Sequence, residues 1–418
     1  MRGPSFAPFR VRVFALFWAG SFVSNIGTIM EQFALGYYVQ QRTGQAAWNG
    51  TVAALGFLPV ALLGPVGGVL ADRVSRRRLL MGSTGVSLVL AAIMTAVVAT
   101  HHGAPAIIAL ISFLTGCASA IGFPAFQSML PDLVPADQLV AAIGLSTAQW
   151  NLARVVAPAL AAVTVAVAGV ATALAINTVS FLAVMAVLLV VHLPAPGGAT
   201  AGLSIRDATA RAWRYARRDP ALRVTTTLAG MNSFFGSAYI GLIPAVARKV
   251  HHGGAVLTGW LATAMGLGAV TAALSLGSLV GRFGVRRVLL GASSALPLAT
   301  MLYALAPGRG AALVTLAVLA FCYMSALSSV TSVTQLRAPA ELRGRLIAVN
   351  TVILGLAYPA AVTLQGKLGD VFGLRRAILV FGLAHAAVLV GYRLRRPGFW
   401  TALDDQADDP TLVAAPAG

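Results

Sequence analysis

Apolar runs long enough to cross a lipid bilayer recur along almost the whole chain, and they constrain its fold more than any other feature. A helix spans the hydrocarbon with about 20 residues, and only helices or closed barrels satisfy their own backbone polar groups there. Broken at clusters of charge, glycine and proline, the runs fall at 13–39, 48–70, 79–100, 105–129, 139–166, 170–192, 222–247, 256–280, 287–306, 311–334, 346–368 and 374–392. The sequence therefore predicts an all-α polytopic membrane protein with twelve transmembrane helices. With 58% hydrophobic and only 10% charged residues, the chain does not have the composition of a soluble domain. The basic start, Met1 to Arg12, resembles the head of a signal peptide, but the apolar run from Val13 to Val39 is too long and has no clear cleavage site. It reads as a retained first span.

Charge then sets the orientation. A net charge of +18 would suit a nucleic-acid partner, yet the arginines punctuate the apolar runs instead of covering a soluble face. Loops on the cytoplasmic side carry the excess of Lys and Arg. Twenty-two of these residues fall on one side and seven on the other, with Arg375 and Arg376 running against the rule beside Asp370. This predicts a multi-pass protein of the cell membrane with both termini cytoplasmic. Cys117 and Cys322 lie inside apolar runs and read as small packing residues, with no disulfide implied.

The chain repeats itself. Gly64 to Leu80 ends an apolar, glycine-spaced run in Asp72-Arg73 and follows it with Arg76, Arg77 and Arg78. The segment Gly277 to Leu289 is a degraded copy, in which Gly277 falls on Gly68, Arg282 on Arg73 and Arg286 on Arg77, an offset of 209. Pro135-Ala-Asp137 and Pro339-Ala-Glu341 repeat at offset 204. Two similar six-helix halves are expected, 1–192 and 222–396, pseudo-symmetric and joined by a cytoplasmic linker over 193–221; an acidic tail, 397–418, reads as disordered. The linker opens on Pro194 and Pro196, has a possible capping box at Ser204 and Asp207, and continues as a basic amphipathic helix. Arg206, Arg211, Arg214, Arg217 and Arg218 lie on it, with Trp213 and Tyr215 as interfacial anchors, so it is expected to lie on the membrane surface.

Gly68-Val-Leu-Ala-Asp72-Arg73-Val-Ser75-Arg76-Arg77 is similar to the signature between spans two and three of the major facilitator superfamily. Ser24-Asn-Ile-Gly27-Thr, Phe123-Pro-Ala125, Pro131-Asp-Leu-Val-Pro135, Ala153-Arg154-Val-Val-Ala-Pro158 and the segment Leu203 to Leu222 resemble its bacterial exporter branch. That branch is the transmembrane secretion effector type, of the enterobactin-exporter and macrolide-efflux kind. The chain departs from the pattern at Ser75, where the signature has Gly, and at Gly281, where the second copy has lost its acidic residue. The glycine-rich antiporter motif around Pro158 is present only in part. The resemblance implies a secondary transporter working by alternating access, exporting a small amphipathic molecule such as a drug, antibiotic, secondary metabolite or siderophore against protons. An importer or lipid-related transporter on the same fold, or a non-transporting receptor or assembly factor, is the other reading. A small-molecule substrate, protons and the bilayer are the expected partners of a monomer. No cofactor, metal, nucleic acid or enzymatic activity is expected.

Transport without ATP directs attention to charge inside the spans. Of the acidic residues only Glu31 lies well within a span, and of the basic ones only Arg154. Burial penalises an ionised carboxyl group, which makes Glu31 a candidate proton carrier or an anchor for a cationic substrate. A structural ion pair with Arg154, or a place near the outer water boundary, is the alternative. Asn25 and Gln32 (span one), Asn232 (span seven), and Phe126, Phe235 and Tyr239 are candidate substrate contacts. By resemblance, Asp72 would meet the start of span eleven as a conformational gate, with Arg73 or Arg77 pairing with Asp132. Gly266-Leu-Gly268 lies inside an apolar span and serves helix packing, not phosphate binding.

Overall fold

A computed structural model describes residues 6–190 and 205–395. Among these, every regular element is a helix: α1 (Arg12–Thr43), α2 (Ala46–Arg73), α3 (Arg76–Ala99), α4 (Pro105–Leu133), α5 (Leu139–Val190), α6 (Ile205–Arg218), α7 (Pro220–Gly236), α8 (Tyr239–Lys249), α9 (Ala255–Leu305), α10 (Arg309–Arg337), α11 (Ala340–Phe372) and α12 (Leu374–Arg395), with short 3-10 turns before α1 and α5. Among the described residues, nine helices are long and apolar enough to cross a membrane. Large apolar side chains such as Val163, Val167, Val179 and Leu182 lie exposed on their outer faces. Such a surface is at home in lipid and not in water. The tail 397–418 and the linker start, Ser204 included, lie outside the described residues.

Two of the nine helices are too long for one crossing. A straight α5 of 52 residues would measure about 78 Å, against a hydrocarbon core of about 30 Å. Glycine divides it. Gly169 adopts φ 83°, ψ 170°, and Gly284 breaks the 51-residue α9 with φ 79°, ψ 149°. Only glycine enters this region freely. Gly373, between α11 and α12, repeats the device with φ 90°. The first copy of the repeated junction turns differently. Ser75 stands where Gly284 stands in the second copy, and there Val74 (φ −112°, ψ 152°) and Ser75 (φ −51°, ψ 117°) are both at negative φ. The turn between α2 and α3 thus needs no left-handed residue, which is why serine is tolerated.

The described residues form two compact units, one of 6–190 with 241–266, the other of 205–240 with 267–395. In the first, α1 packs along α5, α2 along α4, and α3 against both α4 and α5. Phe14, Phe17, Leu80, Met129, Leu133 and Leu188 form a buried core at the end where α1 begins. Trp18 Nε1 donates to the Leu145 carbonyl at 3.0 Å, and Gln149 Nε2 donates to the Trp18 carbonyl at 2.9 Å, fixing α1 against the first half of α5. The start of α9 also belongs here: Gly259 lies against Ala162 and Gly266 against the Arg154 backbone. In the second unit, α7 packs on α10, α11 and α12, and Gly268 lies against Ala317. The glycines of the Gly266-Leu-Gly268 segment therefore act in helix packing. The linker helix α6 packs on α7 and α11 through Ala216, which is buried with Leu222, Leu342 and Leu346. Asp219 closes the joint by accepting from the Leu222 N–H at 2.8 Å, an N-cap for α7.

Candidate functional site

Glu31 is buried in the first unit, on the face of α1 turned toward the second half of α5. Its Oε2 accepts a short hydrogen bond from Asn177 Nδ2. Ser180, one turn along, donates to the Asn177 carbonyl at 2.7 Å and lies 3.2 Å from Asn177 Oδ1. Gly27, one turn before Glu31, makes room for this pair. A Cβ there would stand 2.5 Å from Ser180 Oγ and 2.7 Å from Asn177 Oδ1. The sequence logic is helical: i, i+4 on α1 (Gly27, Glu31) meets i, i+3 on α5 (Asn177, Ser180), a close-approach glycine beside a polar chain. The arrangement can hold a carboxyl group inside the membrane with one neutral donor. Such a group is a place where a proton can be taken up or released.

This differs from an ion pair with Arg154. Glu31 faces the second half of α5, whereas Arg154 is exposed on the first half, where it lines a recess with residues of α4. The kink at Gly169 is what lets one helix carry both. Asn177 escaped the sequence reading. The available signal was an amide standing in an apolar run with Ser180 one turn later.

Asn25 and Gln32 lie on the opposite side of α1 from Gly27, since helical residues advance 100° each. Gln32 is exposed, and Asn25 Nδ2 is buried without a hydrogen-bond partner. Phe126 stacks on Phe17 at 5.1 Å, at the edge of the core. In the second unit Asn232 is buried and donates to Ser293 Oγ at 2.9 Å. Phe235 lies beside Phe381 and His385, and Tyr239 meets Tyr323 edge-on at 6.2 Å.

His385 was also missed. It is fully buried, stacked on Phe235 at 5.4 Å, and neither ring nitrogen has a hydrogen-bond partner. An unpaired buried polar group costs roughly 1–3 kcal/mol. His385→Phe is therefore expected to leave thermal stability in detergent unchanged or higher; a clear drop in melting temperature would contradict this packing.

The residues expected to form a gate divide into two kinds. The side chain of Asp72 lies outside the described residues, and Arg73 is exposed. Asp132 is paired, but with Arg76 at 2.7 Å and not with Arg73 or Arg77. Consecutive helical residues point 100° apart, so Arg76 faces α4, where it also donates to the Ser128 carbonyl at 2.9 Å. Arg77 faces α5 and donates to the Leu188 and Leu189 carbonyls at 2.7 and 3.0 Å. It thereby supplies donors and positive charge to the last turn of α5. Arg77→Ala should destabilise the protein by about 2 kcal/mol. Asp132→Asn should cost less than about 1 kcal/mol, because its pair is nearly a third exposed. Denaturation of both variants side by side checks the order.

Among the described residues the chain is all-helical with large apolar side chains on its outer faces, the make-up of a polytopic membrane protein. The chain is a member of the transmembrane secretion effector family, whose profile matches residues 3–414. It is 25% identical to macrolide efflux protein A of Streptococcus pyogenes, over 88% of this chain and 92% of that protein. It is 27% identical to the multidrug efflux pump Tap of Mycobacterium tuberculosis, over 91% of each. Among solved structures, a bacterial homolog of the human lysosomal transporter Spinster matches with TM-score 0.73 and 15% identity over 96% of this chain and 98% of that one. The nucleoside transporter NupG matches with TM-score 0.67 and 13% identity over 94% and 99%. The protein is thus a membrane transporter of the major facilitator type, and not an enzyme.

Proposed function

We propose that this protein exports a small amphipathic compound by alternating access, driven by protons moving inward. The observation that carries the reading is the Glu31–Asn177 contact inside the first unit, a carboxyl group with a single neutral donor. Two relatives that match over most of their length are an efflux protein and an efflux pump, which supports outward transport. Breaking α5 and α9 at their glycines, and reading α7 and α8 as one interrupted span, supports a count of twelve spans. The arginine asymmetry supports cytoplasmic termini. Asp72 and its neighbours act as a gate at the cytoplasmic ends of the helices, with Arg76 and Arg77 holding α3 to α4 and α5 there.

One proton crossing 100 mV contributes about 2.3 kcal/mol. A factor of ten corresponds to 1.4 kcal/mol, so one proton holds a concentration ratio of roughly fifty. The test is uptake by everted membrane vesicles of a panel that includes a macrolide, a siderophore and neutral dyes, with and without an imposed proton gradient. Gradient-dependent uptake of at least one compound is expected. Equal uptake in both conditions across the panel would overturn the proton coupling.

A further inference from the structure

Two helical stripes in the first unit line a half-open recess of about 430 Å³ that the Glu31 contact does not use. From α4 come Phe123, Gln127, Leu130 and Pro131, spaced i, i+4, i+7, i+8; from α5 come Ile143, Thr147, Trp150 and Arg154, spaced i, i+4, i+7, i+11, with Ser146 beside them. The volume falls within the range of small-molecule sites, roughly 300–1,000 Å³. Its chemistry is two-ended. Phe123 and Trp150 stand with ring centres 6.4 Å apart in a T-shaped pair, an apolar wall for a flat body. Arg154 brings a permanent positive charge, with the Gln127 amide and the Ser146 hydroxyl as further polar groups on the lining.

Arg154 stands fifteen residues from Leu139 at the start of α5 and fifteen from the break at Gly169. It is therefore midway along the membrane-length first segment of α5. A guanidinium at that depth costs about 3 kcal/mol or more unless it faces protein, water or a partner, and such residues mark substrate or ion paths. The close approach of Gly266 to the Arg154 backbone, where a Cβ would stand 2.5 Å from its carbonyl, fixes this turn of α5. The charge is thus held by a braced helix, beside an aromatic wall.

Resting on the exporter reading above, we infer that this recess is a substrate subsite for aromatic compounds carrying a carboxylate or comparable anionic group. The ring system lies against Phe123 and Trp150, and the anion meets Arg154. A guanidinium binds a carboxylate with two parallel N–H donors and repels an ammonium group. Selectivity therefore runs toward anionic and away from cationic amphiphiles of the same shape.

The test is equilibrium binding of 1-naphthoate, 1-naphthylmethanol and 1-naphthylmethylamine to the full chain in phosphatidylcholine nanodiscs. Unaltered protein is expected to bind naphthoate at least tenfold tighter than the amine, with the alcohol between. Arg154→Gln should remove that preference, Arg154→Lys should keep part of it, and Trp150→Leu should weaken all three probes alike. Equal affinities in the unaltered protein, or an unchanged preference in Arg154→Gln, would overturn the assignment. Loss of naphthoate binding when phosphatidylglycerol is added to the nanodiscs would assign the recess to a lipid headgroup and overturn a substrate subsite. Binding is read without transport, so failure of the proton-driven vesicle uptake would leave this result standing, and the reverse.

Discussion

Glu31→Gln will abolish proton-driven substrate movement while leaving the protein as abundant and as heat-stable as the unaltered chain. The variant is chosen from the contact itself. Asn177 Nδ2 donates to a Glu31 side-chain oxygen, and the glutamine carbonyl can accept the same bond in the same volume. The packing of α1 against α5 is preserved, and what disappears is the ability to bind and release a proton. Transport that does not need the proton, such as exchange of substrate down its own gradient, should persist. Glu31→Ala is a poorer test, because it leaves a cavity and strands Asn177 without a partner, which together cost several kcal/mol. Measured in vesicles, proton-driven uptake in Glu31→Gln should fall at least tenfold, with surface expression and melting temperature within error of the unaltered protein. Uptake at the normal rate would make the Glu31–Asn177 bond a packing feature only.

Gly27→Val should destabilise the protein and stop transport together. Even the first carbon of a side chain at this position would stand 2.5 Å from Ser180 Oγ, 2.7 Å from Asn177 Oδ1 and 3.0 Å from Asn177 Cα. Two of these atoms belong to the polar contact, and the third is backbone, so relief requires α1 and α5 to separate. Overpacking a core costs about 1–3 kcal/mol; valine at a backbone contact belongs at the upper end. Helix propensity works the other way, since glycine in a helix is about 1 kcal/mol worse than alanine. That opposition makes the sign informative. Gly144→Ala is the matching control: it lies within α5 with nothing inside 4 Å of an added Cβ, and should stabilise by up to about 1 kcal/mol. Thermal denaturation of the three proteins in one detergent separates the cases. Equal stability of Gly27→Val and the unaltered chain would contradict the α1–α5 packing.

Much of this architecture was legible in the sequence, because in a membrane apolar length and flanking charge dictate where helices cross. The joint at Gly169 could be read from the short break in an apolar run, and Gly284 from its alignment with Ser75. Helical spacing also separates Gly27 and Glu31 from Asn25 and Gln32, which the structure places on opposite sides of α1. Tertiary choice was not legible. Whether Arg76 or Arg77 meets Asp132 depends on a 100° rotation of α3 about its axis, and local sequence does not fix that rotation. Arg77 finds helix-end carbonyls, a partner that no side-chain pattern announces. The partner of Glu31 lay hidden for the same reason: Asn177 is 146 residues away and uncharged, whereas the other charge within a span is Arg154. Burial without a partner, as at His385, is likewise a property of packing and invisible in a list of residues.

The most direct test of proton-driven export is proton movement itself. Purified protein in proteoliposomes carrying an internal pH dye is given, on its cytoplasmic face, a compound identified by the vesicle panel. A pH change inside the liposomes that depends on the compound, and that is absent in Glu31→Gln, is the predicted result. Substrate movement with no accompanying proton flux, or equal proton flux in Glu31→Gln, would contradict it.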